Sequence, residues 1–278
     1  TGNASAIMLS GTASLTVTDG GSNGKLEATG DTGRAIQNGS SGTVTVESGT
    51  VTATTGKAIY NCGAVNVTGG TVEATGSNGR AIHNADGGTI TISGNAAVSA
   101  TTGQAIYNAS TGEIKVTGGT VTATSGNAIR NQSTGTVKVE GGAVSSPNQA
   151  IWNNAAGTVT VSDGKVTASG SSGKAIYNYD AGGTVNVSGG TVEATDPNAI
   201  AIYNVNTGTV NVSGGTVSAA AGNAIYNVST GKITISNNAT VTSANAAATR
   251  IQTTARFICS LCHPAASRKS CWTFRAAR

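Results

Sequence analysis

Hydrophobic and polar residues alternate in short runs along this chain, and the runs recur at a nearly constant interval. The motif Ala-Ile-x-Asn occurs nine times between Ala35 and Asn227, with 22 to 26 residues between successive isoleucines. Two runs rich in Val or Ile follow each copy, and Gly, Ser or Asn residues separate the runs. Alternation with a period of two, in β-branched residues, predicts three short strands in each repeat.

A repeat of this length predicts stacked coils, because each unit is too small to bury its apolar side except against its neighbours. We expect an all-β fold, a single-stranded parallel β-helix (β-solenoid) of about ten coils of ~23 residues, with three short strands per coil. At the spacing of paired strands, the rod would be roughly 45 to 50 Å long. A propeller blade needs about 40 to 45 residues, and no segment has the 3.6-residue period of a helix.

The inward faces are predicted from the positions that stay apolar. In the second strand of a coil two aliphatic residues recur at i and i+2, as in Val44 and Val46. In the third strand a large residue and a small one recur, as in Val51 and Ala53. The residues between them vary among Thr, Asn, Lys and Glu, which is typical of a solvated face.

The asparagine of the motif shares a face with the isoleucine, so we expect a buried column of amides. Such a column can satisfy itself by hydrogen bonding from coil to coil, and we interpret it as a structural asparagine ladder. A row of ligand-binding amides is the alternative. The column consists of Asn38, Asn61, Asn84, Asn108, Asn131, Asn153, Asn178, Asn204 and Asn227.

The position between Ile and Asn varies and is predicted to point outward, because Arg and Gln do not fit a narrow dry core. We call this column the aromatic row: Gln37, Tyr60, His83, Tyr107, Arg130, Trp152, Tyr177, Tyr203 and Tyr226. Beside it, before each Ala, lies a second column, the cation row: Arg34, Lys57, Arg80, Gln104, Asn127, Gln149 and Lys174.

Two interpretations of the aromatic row remain open. Rings in paired strands stabilise a sheet by stacking, at about 0.2 to 1 kcal/mol per neighbour. Exposed rings with polar tips also form sites for sugars or protein partners. The candidate ligand-binding residues are Tyr60, Tyr107, Trp152, Tyr177, Tyr203 and Tyr226.

Charge divides the chain into two parts, although the whole carries a formal +4. Residues 1–248, the predicted solenoid domain, hold 10 Lys and Arg against 12 Asp and Glu, whereas residues 249–278 hold 6 basic and no acidic residues. The solenoid is therefore not a basic nucleic-acid surface, and we predict no nucleic-acid partner. The basic, Cys-containing tail is either a cap over the last coil or a non-native extension of a truncated array.

Cysteine spacing in the tail suggests cofactor chemistry that the rest of the chain does not support. The run from Cys259 to His263 matches the Cys-x-x-Cys-His pattern of c-type haem attachment, and Cys271 would complete four ligands for zinc. No distal ligand or enclosing domain accompanies the pattern. We therefore predict no cofactor and no metal.

Catalytic patterns are also missing from the sequence. The two histidines, His83 and His263, are far apart, and a glycosidase would need two carboxylates converging on one bond. The outward acids Glu73, Glu113 and Glu140 lie on different strands or coils. We predict no catalytic residues, and no apolar stretch is long enough to span a membrane as a helix.

Coil length, the three-strand pattern and the Asn column together resemble right-handed parallel β-helix proteins, over roughly residues 5 to 245. These include the pectin-lyase-like group and the passenger domains of bacterial surface adhesins. The resemblance specifies architecture better than function. Its enzymes cleave acidic polysaccharides with clustered acids and bases, which do not map onto positions here.

The function we expect is a non-catalytic, extracellular or cell-surface stalk or adhesin repeat that contacts a polysaccharide or a cell-surface glycan. We interpret the chain, which starts at Thr1, as a fragment whose export signal lies elsewhere, and end-to-end self-association as a further property. A carbohydrate-binding module or a polysaccharide-lyase-like protein is the alternative. Ice binding is a third candidate, since Thr50, Thr52, Thr120 and Thr122 form ranks that Glu73, Lys165 and Glu193 interrupt.

Overall fold

The computed structural model describes residues 5–21, 24–244, 249–251 and 257–259, the last two ranges by their backbone alone. The described residues form a parallel β-solenoid without helices, with about nine coils of ~24 residues. This confirms the predicted fold class, and the coil count is close to the predicted ten. All strand pairs given below are parallel.

The first strand of each coil lies in one eleven-stranded sheet, which carries the Ala-Ile-x-Asn motif. Its strands are β1 Ser5–Leu9, β4 Arg34–Asn38, β7 Lys57–Asn61, β10 Arg80–Asn84, β13 Gln104–Asn108, β16 Asn127–Asn131, β18 Gln149–Asn153, β20 Lys174–Asn178, β23 Ile200–Asn204, β26 Ile225–Asn227 and β29 Thr249–Ile251.

The second and third strands of the coils lie together in a nineteen-stranded sheet. The second strands are β2 Leu15–Val17, β5 Thr43–Val46, β8 Ala64–Val67, β11 Thr89–Ile92, β14 Ile114–Val116, β21 Thr184–Val187, β24 Thr209–Val212, β27 Ile233–Ile235 and β30 Phe257–Cys259. The third strands are β3 Lys25–Ala28, β6 Thr50–Ala53, β9 Thr71–Ala74, β12 Ala97–Ala100, β15 Thr120–Ala123, β22 Thr191–Ala194, β25 Thr216–Ala219 and β28 Thr240–Ser243. In two coils the second and third strands are joined into one long strand, β17 Thr136–Ser146 in one and β19 Thr158–Ala168 in the other.

Equivalent residues of successive coils lie directly over one another. Ile59 of β7 pairs with Ile36 of β4 and with Ile82 of β10, and Val72 of β9 pairs with Val51 and Val98. A slip of one residue would turn most of the buried side chains of the alternating strands to solvent, so the apolar pattern fixes this register. Beyond residue 248, β29 and β30 continue the pairing onto β26 and β27.

The core is a set of stacked aliphatic columns. The motif isoleucines are fully buried from Ile36 to Ile225, and so are the two aliphatic positions of nearly every second strand. In the first strand the alternation of buried and outward residues is interrupted once, because Ala35 and Ile36 are consecutive and both buried. Two consecutive inward residues bring Arg34 and Gln37 onto the same outer side, which places the cation row beside the aromatic row.

Glycine precedes the second strand wherever the asparagine column passes close to the turn. A Cβ on Gly208 would lie 2.4 Å from Nδ2 of Asn178 and 2.5 Å from Oδ1 of Asn204. Both distances are shorter than any real Cβ contact. Glycine is thus required there by the packing of the amides rather than by turn conformation.

Candidate functional site

The asparagine column lies inside the coil, behind the first sheet. All nine side chains have no exposed surface, and each Nδ2 from Asn38 to Asn204 donates to Oδ1 of the next asparagine at 2.6 to 2.9 Å. The second amide hydrogen goes to the turn backbone, for example from Asn153 to the Gly157 carbonyl at 2.8 Å. With their donors used internally and no surface exposed, these amides are structural and unavailable to a ligand.

The column has two unequal ends. Oδ1 of Asn38 is buried without a hydrogen-bond partner, because Leu9 occupies the equivalent position of the preceding strand. At the other end, Nδ2 of Asn227 donates to the carbonyls of Ser229 and Gly231. The internal asparagines therefore make bonds in both directions, whereas Asn38 lacks one of them.

The aromatic row lies on the outer side of the first sheet, and its members are half-buried rather than freely exposed. In its second half the rings form a continuous stack. Trp152 and Tyr177 have centroids 5.7 Å apart, Tyr177 and Tyr203 5.3 Å, and Tyr203 and Tyr226 5.2 Å, with interplanar angles of 14 to 27°. Stacking turns much of each inner ring face toward another ring.

The first half of the row is a cluster centred on His83. The rings of Tyr60 and Tyr107 meet the His83 imidazole edge to face, each at 5.1 Å, and Arg80 Nη1 lies 2.9 Å from His83 Nδ1. Burial, followed by repulsion from Arg80, Lys57 and Arg34, lowers the pKa of His83 from 6.5 to about 4. The imidazole is therefore neutral near pH 7, and its Nδ1 accepts a hydrogen bond from the Arg80 guanidinium.

Cations lie over most of the rings of the row. The Arg34 guanidinium carbon lies 4.0 Å from the Tyr60 centroid, that of Arg80 3.6 Å from Tyr107, and that of Arg130 4.3 Å from Trp152. Lys174 Nζ lies 5.7 Å from the centroids of both Tyr177 and Tyr203. Such contacts hold the cations in place at about 0.5 to 1 kcal/mol each at exposed sites.

These cations have no acidic partner among the described residues. The four ion pairs found there, Lys25–Glu27, Lys115–Glu140, Lys138–Glu113 and Lys165–Glu193, all lie on the second and third strands or their turns. Arg34, Lys57, Arg80, Arg130 and Lys174 have no carboxylate oxygen within 4.0 Å in those ranges. The first sheet thus presents rings and uncompensated positive charge on one face.

A depression opens at one edge of this face, where the turns lead into β7 and β10. It has a volume of about 390 Å³. The residues that line it come from three successive coils, and all are polar: Asp31, Thr55, Lys57, Ser77, Asn78 and Arg80. Burial, then repulsion from Arg80 and Arg34, lowers the pKa of Lys57.

Two features of the site escape sequence reasoning. Tyr179 lies outside the aromatic row, yet its ring meets Tyr177 at 5.4 Å and Trp152 at 6.4 Å and is 44% exposed. The sequence does mark Tyr179 in one way: the position directly after the motif asparagine holds small, aliphatic or amide residues in the other coils. The turn residues Asp31 and Asn78 are brought together only by coil stacking, and no local motif marks them.

Other candidate chemistry finds little support in the described part of the chain. No group of three or more His, Cys, Asp or Glu residues is placed there to hold a metal. Cys62 is a free thiol whose pKa is raised by burial and by Asp86. Of the Cys259–His263 pattern, only the Cys259 backbone is described; Cys262, His263 and Cys271 lie outside the described residues.

The described residues contain no helix with the length and hydropathy needed to cross a bilayer. The comparison with known proteins leaves the fold and this face as the guide to function: no protein-family model, no curated protein and no solved structure matches the chain.

Proposed function

We propose that this chain is a non-catalytic, structural and adhesive β-solenoid of an extracellular or cell-surface protein, a stalk or adhesin repeat whose aromatic row contacts glycans. One observation carries the proposal. Rings from Tyr60 to Tyr226 lie in a single line on one face, together with cations that lack acidic partners. The second and third strands form their sheet without either feature.

The chemistry of the line suits sugars. The hydroxyls of Tyr177, Tyr203 and Tyr226 are carried by rings 5.2 to 5.3 Å apart, a spacing comparable to one sugar ring, and they offer hydrogen bonds to a chain lying along the rod. Tyr179 adds an exposed ring against which the apolar face of a sugar can pack. Positive charge favours a glycan that carries acidic groups.

The state of the acidic residues favours binding without catalysis. Glu113, Glu140 and Glu193 each form an ion pair with a lysine, at 2.6 to 2.8 Å. His83 is occupied by Arg80 and carries no proton at Nδ1. Glycoside hydrolysis needs two free carboxylates about 5 to 9.5 Å apart, and the aromatic row contains none.

The resemblance to pectin-lyase-like β-helices and to adhesin passenger domains belongs to the same proposal. The stacked Asn column and the three-strand coil support it as architecture, and the absence of carboxylates from the aromatic row favours the adhesin-like member over the lyase-like one. A free-standing carbohydrate-binding module would use the same residues. Ice binding has less support, because Thr52 is only 2% exposed and the Lys165–Glu193 pair crosses its face.

A glycan array probed with the full chain tests the proposal. We expect binding to a subset of glycans, and at least tenfold weaker binding after Tyr177, Tyr203 and Tyr226 are changed together to Ala. The matched control changes Thr122, Thr167 and Ser218 to Ala on the outer side of the third strands. Array binding that survives the tyrosine changes, or that the control abolishes equally, would count against the aromatic row.

A further inference from the structure

We propose that the depression between the first three motif-bearing coils binds a single pyranose that carries a carboxylate, such as a uronic-acid or sialic-acid residue. The site consists of Asp31, Thr55, Lys57, Ser77, Asn78 and Arg80. The proposal rests on the glycan-contacting function above and adds a specific site and a ligand chemistry to it.

The two cations at the site lie on adjacent strands, and neither forms an ion pair with a described residue. Lys57 and Arg80 occupy the same position of adjacent strands, and Arg34 occupies it in the coil before Lys57. Repulsion from Arg80 and Arg34 contributes to the lowered pKa of Lys57. The lining carboxylate forms no ion pair with either cation, and Asp31 accepts a hydrogen bond from the Thr55 hydroxyl. An anion bound between Lys57 and Arg80 would relieve this repulsion.

Charge balance selects a monoanion. Lys57 and Arg80 contribute two positive charges and Asp31 one negative charge, so a single carboxylate neutralises the site, whereas a phosphate dianion would overcompensate it. A carboxylate also fits the planar fork of a guanidinium with two parallel hydrogen bonds. The Arg80 guanidinium is already positioned by the Tyr107 ring at 3.6 Å and by His83 at 2.9 Å, which lowers the ordering cost of binding.

The remaining lining groups match the hydroxyls of a sugar. The Asp31 carboxylate accepts hydrogen bonds, Asn78 and the hydroxyls of Thr55 and Ser77 both donate and accept, and none of the lining side chains is apolar. Asn78 is held in the turn with φ of 60°. The volume of about 390 Å³ falls within the usual range of small-ligand sites and holds one ring with its substituents.

Ligand-observed NMR titration of the full chain provides the test, with methyl glucuronoside and N-acetylneuraminate as carboxylated probes. Methyl glucoside and methyl glucoside 6-sulfate serve as neutral and sulfated comparisons. We expect at least tenfold tighter binding of a carboxylated probe than of either comparison. Equal binding of the neutral sugar, or of the sulfated one, would overturn the assignment to a carboxylate.

Variants locate the site. Lys57→Gln and Arg80→Gln should each weaken binding of the carboxylated probe at least tenfold, and both fit the fold because Gln104 and Gln149 occupy the same column. Lys138→Gln, on the outer side of β17 and outside both the aromatic row and the cation row, is the matched control and should bind as the parent chain does. Unchanged binding by both Lys57→Gln and Arg80→Gln, with circular dichroism showing an intact fold, would refute the site.

The two proposals fail separately. Loss of array binding in the tyrosine variant, with no effect of Lys57→Gln, would retain the aromatic row and refute this site. The reverse pattern, in which carboxylated probes depend on Lys57 while the tyrosine changes leave the array unaltered, would retain this site and refute the role of the row.

Discussion

Arg80 donates from Nη1 to Nδ1 of His83 at 2.9 Å, so the neutral imidazole is the form that the folded chain holds. In the unfolded chain the imidazole takes up a proton near its ordinary pKa of 6.5, whereas in the folded chain it does so only near pH 4. Between these values the unfolded state binds more protons, and stability falls as the pH falls.

We therefore predict that the chain loses stability relative to a His83→Tyr variant as the pH is lowered from 6.5 to 4. Tyrosine is the natural control, because Tyr60 and Tyr107 hold this position in the adjacent coils. The expected difference is about 1 to 2 kcal/mol once solvent screening is allowed for. Urea titrations of both proteins across this range measure it, and parallel pH profiles would contradict it.

The asparagine column predicts a graded cost along its length. Asn153→Ala removes bonds to Asn131, Asn178 and Gly157 and leaves a buried donor and a buried acceptor unpaired. A loss of about 2 to 4 kcal/mol follows, since each stranded buried group costs ~1 to 3 kcal/mol. Asn38→Ala should cost less, because Oδ1 of Asn38 has no partner to lose.

Denaturant unfolding monitored by far-ultraviolet circular dichroism compares these two variants. Because repeat arrays can unfold in parts, the whole transition should be fitted coil by coil rather than as two states. An Asn38→Ala cost equal to or above that of Asn153→Ala would show that bonding between neighbouring amides contributes little.

Glycine before the second strand gives a steric prediction. Gly208→Ala places a methyl group within 2.5 Å of the amides of Asn178 and Asn204, which must then separate. We expect a loss of at least about 2 kcal/mol, the cost typical of disturbing a buried hydrogen-bond network. Gly30→Ala is the control, since its Cβ would meet nothing within 4 Å, and its effect should stay within ~0.5 kcal/mol.

Thermal unfolding of the two glycine variants provides the measurement. A clear fall in Tm for Gly208→Ala alone is the expected result. Equal values for both variants would mean that the amides can move aside without loss, contrary to the tight stacking described above.

The stacked rings of the aromatic row are expected to stabilise the first sheet. Tyr203→Ala removes the ring between Tyr177 and Tyr226, and an aromatic pair is worth about 0.5 to 1.5 kcal/mol beyond its buried area. We expect a loss of about 1 to 3 kcal/mol for two such contacts. Unfolding at 25 °C measures it, with Thr167→Ala as the control on the opposite sheet, expected to lie near zero. No loss for Tyr203→Ala would mean that the stack does not stabilise the sheet.

Much of the fold can be predicted from the sequence because the same repeat motif occurs nine times. The Ile and Asn of the motif specify the inner side of the first strand, and the Val pairs specify that of the second. The continuity of β17 and β19 does not follow from the sequence. The Gly141–Gly142 and Asp163–Gly164 pairs are typical of turns, but in the structure each lies within one uninterrupted strand. The pairing of β17 with β19 shifts register at this place, between Val139 and Ala143.

The candidate site is less predictable for a physical reason. The rows of rings and cations arise from repeated positions and can be listed from the motif. The depression arises from turn residues of three coils, such as Asp31, Thr55 and Ser77, which are 22 to 24 residues apart and share no motif. Only the stacking distance between coils makes them neighbours, and a single sequence does not show which turns approach each other.

The asparagine column also has a direction. Every linking amide donates toward the C-terminal end of the rod, from Asn38 to Asn61 and onward to Asn227. Turning one amide over would set donor against donor on one side and acceptor against acceptor on the other. The nine amides must therefore adopt a single common orientation, a one-dimensional order in which the choice made in one coil dictates that of all the others.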